Sequence, residues 1–306
     1  MKKQSLFTAA LVVGLALPAF AQDGFRVGLS AGSMKTTGDQ ATIALNQVPA
    51  GTGFSINTYT QDQPTQSPLA LDLAWVRGDD EYTFTYFNSK KSESRTLPTN
   101  TTNPYLLGIL FGGNFPNAMG NQELKATIID LGWTHTFTKG EFGSAAFSLG
   151  LRSSSVSDEI TNTYADAAGT PQEQLHVKAK GSGIGLTAGL HGRMNFNERF
   201  WLTGGYTLGM INNTVSSDDY RLAPLTGGGG PIIFSTPDNH QSLLQTEAYL
   251  RFNMNFVKTF NGYLGYEVKN FGDDAAKVNN VYSNLGLGTT SGFGLSGFTL
   301  GVSYTF

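Results

Sequence analysis

Charged side chains are scarce in this chain of 306 residues; Lys, Arg, Asp and Glu together make up 14% of it. Several of the ionisable residues share one placement. Arg26, Asp72, Asp130, Arg152, His191, Arg193, Glu247, Arg251, Glu267 and Lys269 each fall on the polar or small-residue face of a segment whose alternate positions are apolar. Acids and bases held on one inner face can pair with one another, or line a constriction that sorts ions by sign. Alternation alone predicts two contacts. Asp130 and Arg152 fall diagonally across adjacent strands, roughly 7–8 Å apart at the backbone, which an arginine can bridge. Glu247 and Glu267 fall directly opposite each other, so they need a cation between them, and Arg251 and Lys269 are the nearest.

Other chemistry is poorly supplied. There is no cysteine, which excludes thiol catalysis and thiolate metal sites. The histidines are His135, His176, His191 and His240; none stands in metal-ligand spacing, and no Ser–His–acid spacing points to a hydrolase. No catalytic residue, metal or cofactor is expected. The formal net charge of −3 becomes −5 without Lys2 and Lys3, so there is no basic footprint for nucleic acid.

The elements that hold the charged faces read as strands. Alternating segments begin near Phe25, Leu69, Tyr82, Ile129, Ala145, Ile184, Leu202, Ala248, Phe260 and Phe298, giving ten. The last, Phe298 to Phe306, alternates apolar with small or polar residues up to a terminal aromatic. Short turns recur about every 60 residues, near Gly78-Asp79, Lys139-Gly140-Glu141, Asn195 to Arg199 and Asn255 to Thr259. The last two hairpins repeat each other: Met194-Asn195-Phe196, Phe200 and Gly205-Tyr206 recur as Met254-Asn255-Phe256, Phe260 and Gly265-Tyr266. Phe137, Phe142, Phe196, Phe200, Trp201, Phe256 and Phe260 gather at the short-turn end as a predicted aromatic girdle. Long stretches alternate with these turns, at about 33–67, 88–123, 152–181, 211–241 and 270–291. The second carries an apolar run, Tyr105 to Phe111, read as a lumen gate, a packed loop or an extra hairpin.

Lys2-Lys3, the apolar run Leu6 to Phe20 and Ala19-Phe20-Ala21 form a secretory signal, so residues 1–21 are expected to be removed and 22–306 to form one domain. An exported chain can span a bilayer without a helix if its strands close, because closure satisfies every backbone hydrogen bond. The expected fold is all-β: an antiparallel transmembrane barrel of the outer membrane with short periplasmic turns and five long extracellular loops. Its expected partners are outer-membrane lipid and lipopolysaccharide, and the barrel-insertion machinery, reached through Phe306.

Three segments resemble the Legionella-type major outer-membrane protein family, whose members form pores. They are Ile128 to Trp133 with Phe147 to Arg152; Gly181 to Leu186 running through Leu202 to Gly205; and Ser291 to Phe293 with Gly297-Phe298 and the last strand. The match spans roughly the last 180 residues, and the resemblance implies a porin-like barrel. The leading expectation is therefore a passive pore for small solutes or ions, lined by the ten residues named above. The alternative is a non-conducting barrel that binds through its loops. A third reading rests on Asp238-Asn239-His240, which resembles half of the omptin protease site. The second acidic pair such a protease needs would come from loop two, which offers only Glu93 and Glu123.

Overall fold

The computed structural model describes residues 24–37, 41–50, 53–61, 65–96, 101–102, 105–106, 109–110, 114–115, 117–216, 220–224, 232–234, 239–273 and 292–306. The expected signal segment, residues 1–21, lies outside them. Ten strands form a ring: β1 Phe25–Thr37, β2 Leu69–Arg77, β3 Asp80–Thr96, β4 Asn117–Gly140, β5 Gly143–Ala165, β6 Pro171–Asn195, β7 Phe200–Ser216, β8 Asn239–Val257, β9 Phe260–Asp273 and β10 Gly292–Thr305. Each pairs antiparallel with the next, and β1 closes on β10 from Arg26↔Thr305 to Thr37↔Gly294. Closure leaves none of the ten ring strands with a free edge within the apolar belt, as a bilayer demands. In loop two, Tyr105–Leu106 pairs with Ile109–Leu110 in a two-stranded piece outside the ring. The remainder of that apolar run lies outside the described residues.

Turn chemistry adjusts the expected register. Gly78, at φ 62°, takes the left-handed conformation that the two-residue turn between Arg77 and Asp80 needs. Between β4 and β5 the turn is Glu141-Phe142, and an irregularity between Thr136 and Thr138 absorbs the extra residue. A second one between Asn255 and Val257 tightens the β8–β9 turn to Lys258-Thr259. That shift slides β8 against β9 by two residues relative to the simple five-residue turn. Every face keeps its side, but the partners change. Met194 likewise pairs with Leu202, not Phe200.

The expected third long loop is mostly strand. β5 and β6 run on together past the apolar belt and meet in a tight turn at Asp166 to Thr170. There the Asp166 carboxylate accepts from the backbone of Ala168 and Thr170 and from the Gln172 amide. At 23, 24 and 25 residues, β5, β4 and β6 are more than twice the 9–11 that a tilted membrane strand requires.

These long strands invert their own pattern. Toward the short-turn end the outward residues are apolar and exposed, such as Leu131, Leu149, Leu186 and Leu250. The inward ones there are Gly, Ser, Thr or charged. Farther along, the outward face turns polar, with Lys125, Glu123, Ser153, Ser155 and Ser157, while the inward face turns apolar. Met34, Phe87, Leu124, Ala126, Ile128, Val156, Ala179, Leu243, Phe271, Phe293 and Leu295 form one buried cluster at 0–7% exposure. The lower half is thus solvated like a membrane barrel, and the upper half is packed like a soluble protein.

Candidate functional site: the barrel lumen

Three layers fill the lumen. At the short-turn end lies a polar cavity of about 550 Å³. Arg26, Asp72, Glu81, Thr83, Thr85 and Arg193 are among the residues that line it. An ionic chain crosses the barrel above this cavity. The buried apolar cluster follows.

The ionic chain uses six of the ten residues singled out in the sequence. Asp130 and Arg152 are directly opposite on β4 and β5, not diagonal as expected. Arg152 donates from Nε and Nη2 to the two Asp130 carboxylate oxygens at 2.8 and 2.7 Å. The same Nη2 reaches Glu247 at 2.8 Å. Arg152 stands on β5 and Glu247 on β8, so this bond spans the lumen past β6 and β7. Glu247 faces Lys269 across the β8–β9 ladder, and Glu267 faces Tyr249. The expected Glu247–Glu267 opposition is therefore corrected, and the two-residue slide at the β8–β9 turn is its cause. Lys269 pairs with Glu247 and lies 3.6 Å from Glu267. Arg251 closes the series, donating twice to Glu267 Oε1 at 3.0 and 2.6 Å. Its guanidinium lies 4.6 Å from the ring centres of both Tyr249 and Tyr263. Three acids and three bases alternate along the chain, so its charge balances.

The other four residues sit in the lower cavity. Arg26 pairs with Glu81 at 2.5 Å, bridging β1 and β3 across β2. Asp72 accepts from Thr85 at 2.8 Å. Arg193 lies 4.5 Å over the Trp201 ring and donates to Asn195. Trp201 is consequently inward and 8% exposed, not part of the outer girdle as expected. His191 joins Ser148 at 2.8 Å and Tyr249 at 3.1 Å, tying β5, β6 and β8 together. Only a glycine at position 205 leaves room for this contact, because a Cβ there would lie 2.5 Å from His191 Nδ1.

The sequence reading missed two things here. Glu81 was not recognised as the partner of Arg26, although it has inward parity beside the Trp75–Tyr82 pair. The apolar layer was missed as well. Its signal was the inversion of alternation in runs such as Leu124 to Ile128 and Val156 to Tyr164. Val156 to Tyr164 falls within the third stretch expected to be loop, and Leu124 to Ile128 lies between the second such stretch and the strand expected from Ile129.

The remaining histidines face outward. His135 meets Asp80 at 2.9 Å, His176 meets Glu159 at 2.9 Å, and His240 meets Thr214 at 3.0 Å. Glu123 also lies on an outward position and pairs with Lys90. His240 on β8 and Glu123 on β4 do not converge, and Asp238 lies outside the described residues.

No family model and no curated protein matches the chain. Among solved structures, the outer membrane protease OmpT from Escherichia coli aligns with 93% of this chain and 97% of its own, at 12% identity and a TM-score of 0.50. The translocator domain of autotransporter NalP from Neisseria meningitidis covers 99% and 98%, at 13% identity and a TM-score of 0.43. A major outer membrane protein from Thermus thermophilus covers 92% and 98%, at 12% identity and a TM-score of 0.34. Sequence identity this low carries fold alone, and the OmpT match agrees with the ring topology: the chain folds as an antiparallel β-barrel of the outer-membrane type.

Proposed function

We infer that this chain is a closed, non-conducting barrel of the outer membrane that acts through its outer surface and long loops rather than as a conduit. The buried apolar layer carries this reading. A water-filled passage leaves accessible area on its wall, yet Met34, Leu124, Ala126, Ala179 and Leu295 have none. These side chains come from four different strands, so the layer crosses the lumen rather than coating one side. An ion entering it would have to shed its hydration, and the polar side chains buried at this level are already bonded to one another, Ser89 to Gln66 and Gln245 to Ser154. The charged residues below support the same reading, because six of them are spent on one another across the barrel.

The porin-like reading keeps one observation in its favour. The lower cavity, about 550 Å³, is lined by charged and hydroxyl side chains such as Arg26, Asp72, Glu81 and Thr85. Conduction would require the apolar layer to part. Purified, folded protein in planar lipid bilayers decides between the two. Current should stay at the level of the bare membrane. Stable unitary steps from the wild-type protein would restore the pore.

A further inference from the structure

The outer wall changes character in a repeated way where the strands leave the apolar belt. Outward positions on β1 run Ala31, Ser33, Lys35; on β3, Tyr86, Asn88, Lys90; on β4, Ile129, Thr127, Lys125; on β6, Ile184, Ser182, Lys180. Each strand gives the same order: an apolar or aromatic residue, a small polar one, then a lysine. All four lysines are exposed, while the inward residues beside them, such as Met34, Ser89, Leu124 and Ala179, are buried. In the ladder row of Lys125 and Lys180, β5 carries Ser157 between them and β7 carries Ser216, so the basic positions lie on β1, β3, β4 and β6.

Lys90 stands directly opposite Lys125 in the ladder. Two like charges in that relation repel, and the pairing is unfavourable unless an anion lies between them. Lys90 has one carboxylate neighbour, Glu123 at 2.7 Å. Lys35, Lys125 and Lys180 form no ion pair among the described residues. Four residues advance about 13 Å along a strand, or about 10 Å along the membrane normal at the usual barrel tilt. The polar headgroup layer begins where the apolar belt stops. A lysine rooted that far out lays its stem back along the wall and sets its ammonium among the headgroups.

We propose that this flank, β1 to β6, binds the phosphate groups of an anionic, phosphorylated glycolipid of the outer leaflet. Its acyl chains would lie on the belt below, against Ile129, Leu151, Ile184 and Leu186. Ser33, Asn88, Thr127 and Ser182 supply hydrogen bonds between the two levels. The proposal rests on the outer-membrane reading and names the partner of its outer surface.

Native mass spectrometry of the detergent-solubilised full chain tests it, with bisphosphorylated lipid A as probe and its dephosphorylated form beside it. Wild-type protein should retain the bisphosphorylated form at least tenfold better. Each lysine removed should weaken that binding about fivefold. The variant K35Q/K90Q/K125Q/K180Q should lose the preference, and K139Q/K258Q, altered at the short-turn end, should keep it. Equal retention of the two lipids by wild type, or an intact preference in the fourfold variant, overturns the proposal. Displacement by millimolar inorganic phosphate also overturns it, since that marks a site for a soluble anion. A gel heat-shift assay in phosphatidylcholine vesicles, which contain no lipid A, checks folding of every variant. Should the fourfold variant not fold, K35Q/K180Q carries the same test. Failure of wild type to fold into those vesicles refutes the barrel reading itself, and is separate from any lipid A result.

Discussion

Replacing Arg152 with methionine removes the centre of the ionic chain while keeping most of the side-chain volume. Its side chain is 5% exposed, and it makes three hydrogen bonds to two carboxylates at 2.7–2.8 Å. Hydrogen bonds to charged groups contribute about 1.5–3 kcal/mol each, so three unreplaced bonds would sum to several kcal/mol. Two features reduce the loss. Lys269 still holds Glu247, and Asp130, with 24% of its side chain exposed, can draw water from the cavity. The expected destabilisation is therefore about 3–5 kcal/mol, the range for breaking a buried pair from one side. Adding Asp130→Asn should recover a substantial part, because the stranded charge is then gone. Arg152→Lys should fall between wild type and methionine, since an ammonium cannot grip Asp130 with two parallel bonds. Urea titration of protein folded into lipid vesicles measures all three, followed by fluorescence of Trp75, Trp133 and Trp201. A loss below about 1 kcal/mol for Arg152→Met would refute the reasoning. It would mean that Asp130 and Glu247 are already hydrated, as in an open aqueous channel.

Burial pushes the Asp158 carboxyl, which lies beyond the apolar belt, up to about 7, although Gln122 donates to both of its oxygens. The folded state then keeps a proton that the unfolded chain releases near pH 4, so stability should fall by up to about 4 kcal/mol as pH rises from about 4 to 7, and level off above. Asp158→Asn should flatten this slope; superimposable stability profiles of the two proteins from pH 5 to 8 would count against it. Leu250→Arg puts a charge on the lipid face, where Leu250 is 54% exposed, and should cost about 2–4 kcal/mol near the midplane in vesicle folding titrations. Gln245→Asn, on the lumen side, keeps the side chain polar while withdrawing it from Ser154, and should cost about 0.5–1.5 kcal/mol. Equal losses at the two positions would contradict the assignment of faces.

The strand count and the two faces were legible in the chain because side chains alternate with a period of two and a bilayer punishes any error in that alternation. Leu250, Leu300 and Tyr266 announce an outward face wherever they fall in the register. The inward parity of Arg26, Asp130, Glu247 and Lys269 follows from the same rule. The partners of those charges were not legible. A single irregularity near Asn255 moved Glu247 from opposite Glu267 to opposite Lys269, and nothing local in the sequence announces an irregularity of that kind. The bond from Arg152 to Glu247 depends on ring closure, which brings β5 and β8 face to face across 95 residues of chain. Closure decided the upper half as well. Val156, Ile160 and Tyr164 look like scattered apolar residues in a polar loop when read along the chain. Val156 joins a core only when strands on the far side of the ring bring Met34, Phe271 and Leu295 into the same cluster, because burial belongs to the assembled wall and not to any one strand.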